Sequence, residues 1–481
     1  MMNIAIATPE IFLLISICII LLIDLFLRDD QRLISYILVQ ISVLITAFLL
    51  ISTLHTNKQL GLNAMYVQDE LGGFLKISIL VLTSTAFVYI RKYLNDKNLW
   101  KTEFFLLVLF AVLGMMIMAS ANHLLLVYLG LELLSLALYT LVAFSRDDSR
   151  ATEAAMKYFI LGAIASGMLL YGISMLYGLT MGQLELQAIA AYIDTQAILE
   201  NIPLLFTLVF IVGGIAFKFG AVPLHMWVPD VYQGAPTATT LFLGSVPKIA
   251  AFAMLIRVLS ESLGLAQSGW AQLLLVIGLL SVIIGNLLAI AQFNLKRMLA
   301  YSAIAQMGFV LLGTMTGTLE GYSAGLFYTL TYALTAVGGF AILILLSHQG
   351  LEAETLDDLK GLNERSPWYA FIMLLFLFSM AGIPPMVGFY AKFSVIQALL
   401  QGGYLWAAII LVLMSVIGAF YYLRTIKMMY FDKPELDFTL KTTTLDFKLV
   451  LSTNGLLILI LGLLPSSLMS LCTNALVTSL P

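Results

Sequence analysis

The chain predicts an all-α polytopic membrane protein with about 14 transmembrane helices. Three observations carry that reading. Of 481 residues, 61% are hydrophobic and 11% charged, where a soluble domain carries about 25% charged. Apolar runs of the length needed to cross a bilayer, about 20 residues, recur from end to end. The basic residues between them fall almost entirely on alternate connections.

Cutting wherever such a run meets polar or turn residues gives spans that begin near Pro9, Leu33, Leu71, Phe104, His123, Ala154, Pro203, Ala238, Trp270, Met298, Gly321, Tyr369, Tyr404 and Leu449. The first, Pro9 to Leu27, has no basic region before it and no small-residue cleavage site after it, so it reads as a permanent span. The odd-numbered connections hold 17 Lys and Arg, among them Arg91, Lys97, Arg150, Lys296, Arg297 and Lys441. The even-numbered ones hold Lys58 and Arg257 alone. Positive charge stays on the cytoplasmic side, so both termini are expected on the non-cytoplasmic side. Between the sixth and seventh spans, Leu184–Glu200 shows apolar residues at helical spacing and reads as a short surface helix.

Two spans are interrupted. The seventh breaks at Gly220 and Pro223, and the twelfth at Gly382, Pro384 and Pro385. Proline removes a backbone donor and clashes with the preceding turn, and non-helical backbone at membrane depth is tolerated where it is buried or lines a cavity. The breaks lie five spans apart, an odd number, so spans four to eight and nine to thirteen would form two inverted five-helix repeats around discontinuous helices. The expected divisions are residues 1–103, 104–260, 261–431 and 432–481.

Five lysines, Lys76, Lys157, Lys218, Lys248 and Lys392, and Glu132 fall inside spans, where an ionised group costs at least about 2.5–3.5 kcal/mol. Glu132 is about 13 Å into its helix, and Lys248 is similarly deep. Lys218 falls in the last turn of a half-helix, where the dipole favours a cation. Lys392 falls in the first turn of another, where it does not. Buried lysine suits proton transfer because burial favours the amine while a carboxylate neighbour favours the ammonium. A set of static ion pairs would need more than one acid for so many lysines. Lys157 is close enough to its helix end to snorkel, and Lys76 is expected to do so. His225, in the first break, is placed to relay protons. His348 reads as interfacial, and Asp24 and Asp230 lie at helix ends and need no functional explanation.

Other chemistries find no support. Net charge is −3 and the basic residues form no tract, so no nucleic acid is expected. Cys18 and Cys472 have no metal or redox spacing. His55, His123, His225 and His348 form no ligand cluster, and no phosphate-binding glycine loop is present. The chain is expected to bind no cofactor or metal and to carry no electrons.

LELLSLALYTLVAF around Glu132, EAAMKYFILGA around Lys157, FKFGAVPLHMWVPDVYQGAPT with SVPKIAAF around Lys218 and Lys248, NLKRMLAYSAIAQMG, and AGIPPMVGFYAKF before Lys392 resemble the antiporter-like membrane subunits of respiratory complex I over nearly the whole chain. Some members carry a long C-terminal lateral helix, and others usually have glutamate where this chain has Lys392; the chain resembles neither of those types. The resemblance implies a proton-translocating subunit of NADH:quinone oxidoreductase in the bacterial cytoplasmic membrane. Glu132 would pair with Lys218, Lys157 and Lys248 would continue the polar axis, and Lys392 would lead to the exit side. NADH, FMN, iron–sulfur clusters and quinone would belong to partner subunits, beside antiporter-like neighbours. A multisubunit sodium/proton antiporter would need the same buried charges, whereas a passive membrane scaffold would need none.

Overall fold

The computed structural model describes residues 3–28, 31–53, 58–347, 352–434, 444–477 and 479. His55, His348 and Lys441 lie outside the described residues. Three helices open the chain: α1 (Thr8–Asp24), α2 (Leu33–Thr53) and α3 (Glu70–Asp96). A hairpin, β1 (Gln59–Gly61) with β2 (Tyr66–Gln68), fills the connection before α3. The chain continues as α4 (Thr102–Ala119), α5 (Leu124–Val142), α6 (Ser149–Leu179) and the short α7 (Leu186–Asp194). The interrupted seventh span is α8 (Ile202–Phe219) followed by α9 (Trp227–Gly234). Then come α10 (Thr237–Leu243), α11 (Val246–Leu255), α12 (Gln267–Ile290), α13 (Leu295–Thr314) and α14 (Leu319–Leu346). After the short α15 (Leu362–Arg365), the twelfth span is α16 (Pro367–Ala381) and α17 (Val387–Gln401), and α18 (Leu405–Phe431), α19 (Leu445–Leu463) and α20 (Pro465–Val477) close the chain.

Among the described residues, twelve helical stretches are long and apolar enough to cross a membrane, against fourteen expected. The difference has two physical causes. Lys296, Arg297, Ser302 and Gln306 make α13 too polar, and α16 and α17 are each 15 residues long, short of the roughly 20 a span requires. The eighth span is also less regular than its sequence suggests. It divides at Gly244–Ser245 and ends in a π-helical segment, Ile256–Ser262.

Packing sorts the helices into an inner and an outer set. Nearly all residues of Thr237–Ser262 and of Leu319–Leu346 are buried within the chain, whereas α19 buries only Phe447, Leu451, Asn454, Gly455 and Ile458. Outer helices present Leu22, Phe48, Ile164 and Val416, all more than half exposed, as expected of side chains that face lipid. The surface helix appears as α7, with Leu186, Ile189 and Ile193 turned inward.

Both broken helices end in the same way. Gly220 and Gly382 adopt the left-handed conformation, with φ of 72° and 84°. The Gly220 and Ala221 amides donate to the Phe217 and Ala216 carbonyls, both at 2.9 Å. The Gly382 and Ile383 amides donate to Ser379 and Phe378, at 3.0 and 2.9 Å. Each is a Schellman termination, which glycine permits at no steric cost. A cis X-Pro bond follows each, at Val222–Pro223 and Pro384–Pro385.

Candidate functional site

A Schellman termination leaves the last two carbonyls before the glycine without a backbone donor. At the first break these are Lys218 O and Phe219 O, and the Lys248 ammonium reaches both, at 3.3 and 3.0 Å. Lys248 is buried on α11 and also sits 5.6 Å from the Trp227 ring centroid. A cation at the C-terminal end of a half-helix is stabilised by the aligned peptide dipoles. Lys218, in the last turn of α8, donates to Ser135 Oγ at 2.5 Å, and Ser135 passes its own hydrogen to Leu131 O. A cavity of about 20 Å³, lined by Lys218, Lys248, Tyr158 and Trp227 among others, has room for about one water. Both lysine side chains border it.

The expected direct pair between Glu132 and Lys218 is not made among the described residues. Glu132 lies on the same face of α5 as Ser135, one turn away, and its Oε1 is buried with no hydrogen-bond partner. The nearer hydroxyl takes the lysine. His225 is buried in the break, with Nδ1 3.3 Å from Pro223 O and, among the described residues, no hydrogen bond to either lysine.

At the second break the corresponding carbonyls are Met380 O and Ala381 O. Lys392, buried on α17, reaches back to Ala381 O at 2.9 Å. Its ammonium thus occupies the negative end of α16, contrary to the dipole expectation, because the long side chain folds across the break. Met380 O is filled from α13 by Gln306 Nε2 at 3.0 Å. Gln306 also donates to Tyr422 Oη at 3.1 Å and accepts from Tyr328 Oη, and Tyr422 meets Ser302 Oγ at 2.5 Å. A second cavity of about 20 Å³ touches Gln306, Tyr328, Tyr332 and Ser379. Gln306 was legible only as a lone polar residue in an apolar run, a signal shared by many structural glutamines.

Three other lysines depart from expectation. Lys76 does not snorkel: it is 2% exposed, 2.5 Å from Glu10 Oε1, and donates to Tyr66 Oη at 2.7 Å. Glu10 neutralises it inside the protein. Lys157 is 43% exposed at its side chain and pairs with Glu153 and Asp230, each at 2.8 Å. Asp230, expected to be idle, also holds Arg297 at 2.7 Å. Lys157 is therefore a surface ion pair on α6, apart from the buried lysines. Lys296 and Arg257, read as connection residues, are both buried. Arg257 grips Asp69 through two bonds of 2.7 Å, Glu261 at 2.5 Å and Ala119 O. The Arg257–Glu261 spacing of four was the sequence signal for this cluster.

At the other end of α3, Glu352 accepts from Lys296 and Thr237, both at 2.7 Å, and from Tyr93. Burial pushes the Glu352 carboxyl up, but the Lys296 charge and these hydrogen bonds outweigh it and bring its pKa down to about 2. A cavity of about 340 Å³ opens here, lined by Lys97, Asp148, Arg150, Lys296, Glu352 and Glu354 among others. It is polar and large enough to hold many waters.

A many-spanned helical bundle with two discontinuous helices, each ending on a buried cation, is the architecture of membrane proteins that move ions. The chain belongs to the NADH:quinone oxidoreductase/Mrp antiporter transmembrane family, whose sequence model it matches over residues 121–469. It is 54% identical to NADH-quinone oxidoreductase subunit N of Thioalkalivibrio sulfidiphilus (strain HL-EbGR7), over 97% of each chain. A chain of respiratory complex I from Thermus thermophilus superposes with a TM-score of 0.82 at 31% identity, covering 96% of this chain and 98% of that one. A chain of the Mrp complex from Dietzia sp. DQ12-45-1b reaches a TM-score of 0.84 at 20% identity, covering 98% and 97%, a likeness of fold alone.

Proposed function

We propose that the chain is a proton-translocating membrane-arm subunit of NADH:quinone oxidoreductase, coupling quinone reduction in other subunits to proton transfer through its buried lysines. The observation that carries this reading is the pair of broken helices whose last carbonyls are held by Lys248 and Lys392. Protons would pass from Lys218 to Lys248 and on to Lys392, with Glu132, one turn from Ser135 on α5, biasing the Lys218 charge. Moving a proton across ~100 mV costs about 2.3 kcal/mol, which a modest rearrangement of one charged neighbour supplies. Lys157 and His225 lie off this line, Lys157 in a surface ion pair and His225 against its own backbone. The two matched Schellman ends support the division into inverted repeats, residues 104–260 and 261–431, between residues 1–103 and 432–481. Counting α13 and the α16–α17 pair as crossings restores fourteen spans and leaves both termini on the non-cytoplasmic side of a bacterial cytoplasmic membrane. NADH, FMN, iron–sulfur clusters and quinone would reside in partner subunits, and antiporter-like subunits would flank this one in the bilayer. The end-to-end identity to N subunits favours this assignment over a sodium/proton antiporter subunit.

The test is made in the assembled enzyme. Lys218→Ala and Glu132→Ala should each lower coupled proton pumping by about tenfold, modest beside the 10²–10⁴ that a positioned proton-transfer group contributes. NADH oxidation by an artificial acceptor should stay near wild type. A variant that assembles fully and pumps normally would make the residue structural and the assignment of the path wrong.

A further inference from the structure

The two breaks expose carbonyls at equivalent positions, one and two residues before the left-handed glycine. Lys248 fills both at the first break, whereas Lys392 and Gln306 divide the task at the second. One of those two groups can carry a proton and the other cannot. Every polar atom of the Gln306 side chain is engaged, towards Met380, Tyr422 and Tyr328. The hydrogen-bonded line from Tyr328 through Gln306 to Tyr422 and Ser302 has hydroxyls on either side of the amide, and hydroxyls relay protons by donating and accepting in turn. An amide does not, since relay through it demands protonation or an imidic acid. The chain of hydroxyls is therefore interrupted at Gln306, next to the carbonyl that holds Lys392. Beside it lies the cavity of about 20 Å³, enough for about one water and too little for a continuous file.

We infer that Gln306 is the gate of the second half: a non-titratable side chain that closes the path to Lys392 until it releases Met380 and Tyr422 and water takes its place. Gating here rests on the reading of Lys392 as a proton carrier. In the second proposed repeat α13 occupies the place that α5, with Glu132 and Ser135, occupies in the first. The gate thus stands where the first half has its charged and hydroxyl groups.

The test uses the complete enzyme reconstituted in phospholipid vesicles. Gln306→Ala empties a volume lined by phenols and a carbonyl, which water fills. Passive proton flux without NADH should rise by about tenfold, the change that a barrier lower by about 1.4 kcal/mol gives, and the steady gradient should fall while quinone reduction continues. Gln306→Leu fills the space with apolar atoms and should not raise the flux. Adding Lys392→Leu to Gln306→Ala should return the flux to the wild-type level. Wild-type flux and pumping in Gln306→Ala would overturn the gate whatever Lys392 does. A leak that survives Lys392→Leu would show that it bypasses Lys392, and normal pumping by Lys392→Leu alone would overturn the underlying reading separately. Where Gln306→Ala fails to assemble, Gln306→Asn, one methylene shorter, should give a smaller rise, and its absence would count equally against the gate.

Discussion

Lys392 meets a backbone carbonyl and, among the described residues, no carboxylate, so its charge is held by a dipole. A side chain held by dipoles can lose and regain its proton without leaving a partner charge stranded. Arginine at this position would keep the charge but cannot release a proton in the working pH range. Lys392→Arg should therefore lose pumping nearly as fully as Lys392→Ala, about tenfold against a general acid–base contribution of 10²–10⁴. Proton uptake per NADH in vesicles is the measurement, and full pumping by the arginine variant would make Lys392 a fixed electrostatic element. The buried lysines were legible because charge at bilayer depth is costly and rare. Their partners were not. Ser135 bonds the carbonyl one turn back, as buried serines commonly do, so nothing in its sequence context announces that it also receives Lys218.

Among the helices, the two breaks were legible from glycine and proline alone, because those residues act through backbone geometry that is local to the sequence. The division of the eighth span and its π-helical end were not, since the π-helical segment holds no glycine or proline and Gly244, at the division, is not left-handed as the glycines of both breaks are. The glycines make the breaks testable. A side chain in the left-handed region costs roughly 1–2 kcal/mol, and a Cβ on Gly220 would fall 2.5 Å from Val228 Cγ2. On Gly382 it would fall 2.8 Å from Lys392 Cδ. Gly220→Ala should then mainly reduce the assembled enzyme, by about 2 kcal/mol of stability or more. Gly382→Ala should displace the Lys392 side chain and cut pumping in enzyme that does assemble. Native gel yield and pumping per assembled enzyme separate the two, and normal pumping in Gly382→Ala would refute the coupling of break and lysine.

Across the whole molecule, α3 links two charged clusters, one at Asp69 and Arg257 and one at Tyr93 and Glu352, about 36 Å apart at 1.5 Å per residue. The Glu352 cluster joins α3, α10 and α13 to the chain beyond α14. Its carboxyl lies below the ordinary value in the folded protein, so its contribution is present above about 4.5 and is lost as pH falls through about 2. Glu352→Gln should lower thermal stability at pH 7 by on the order of 3 kcal/mol, with the difference from wild type vanishing towards pH 2. An equal difference at every pH would mean that size and not charge matters there. Apart from the Arg257–Glu261 spacing, these clusters left no trace in the sequence, because Asp69 with Arg257 and Tyr93 with Glu352 come from distant parts of the chain that folding brings together. The polarity of α13 has its own consequence. It carries Lys296 and Arg297 in its first turn and Gln306 near its middle, and nearly all of it is enclosed by other helices. By its composition α13 should enter the bilayer less readily alone than packed against α12 and α14, so that biogenesis, like proton transfer, would depend on helices acting together.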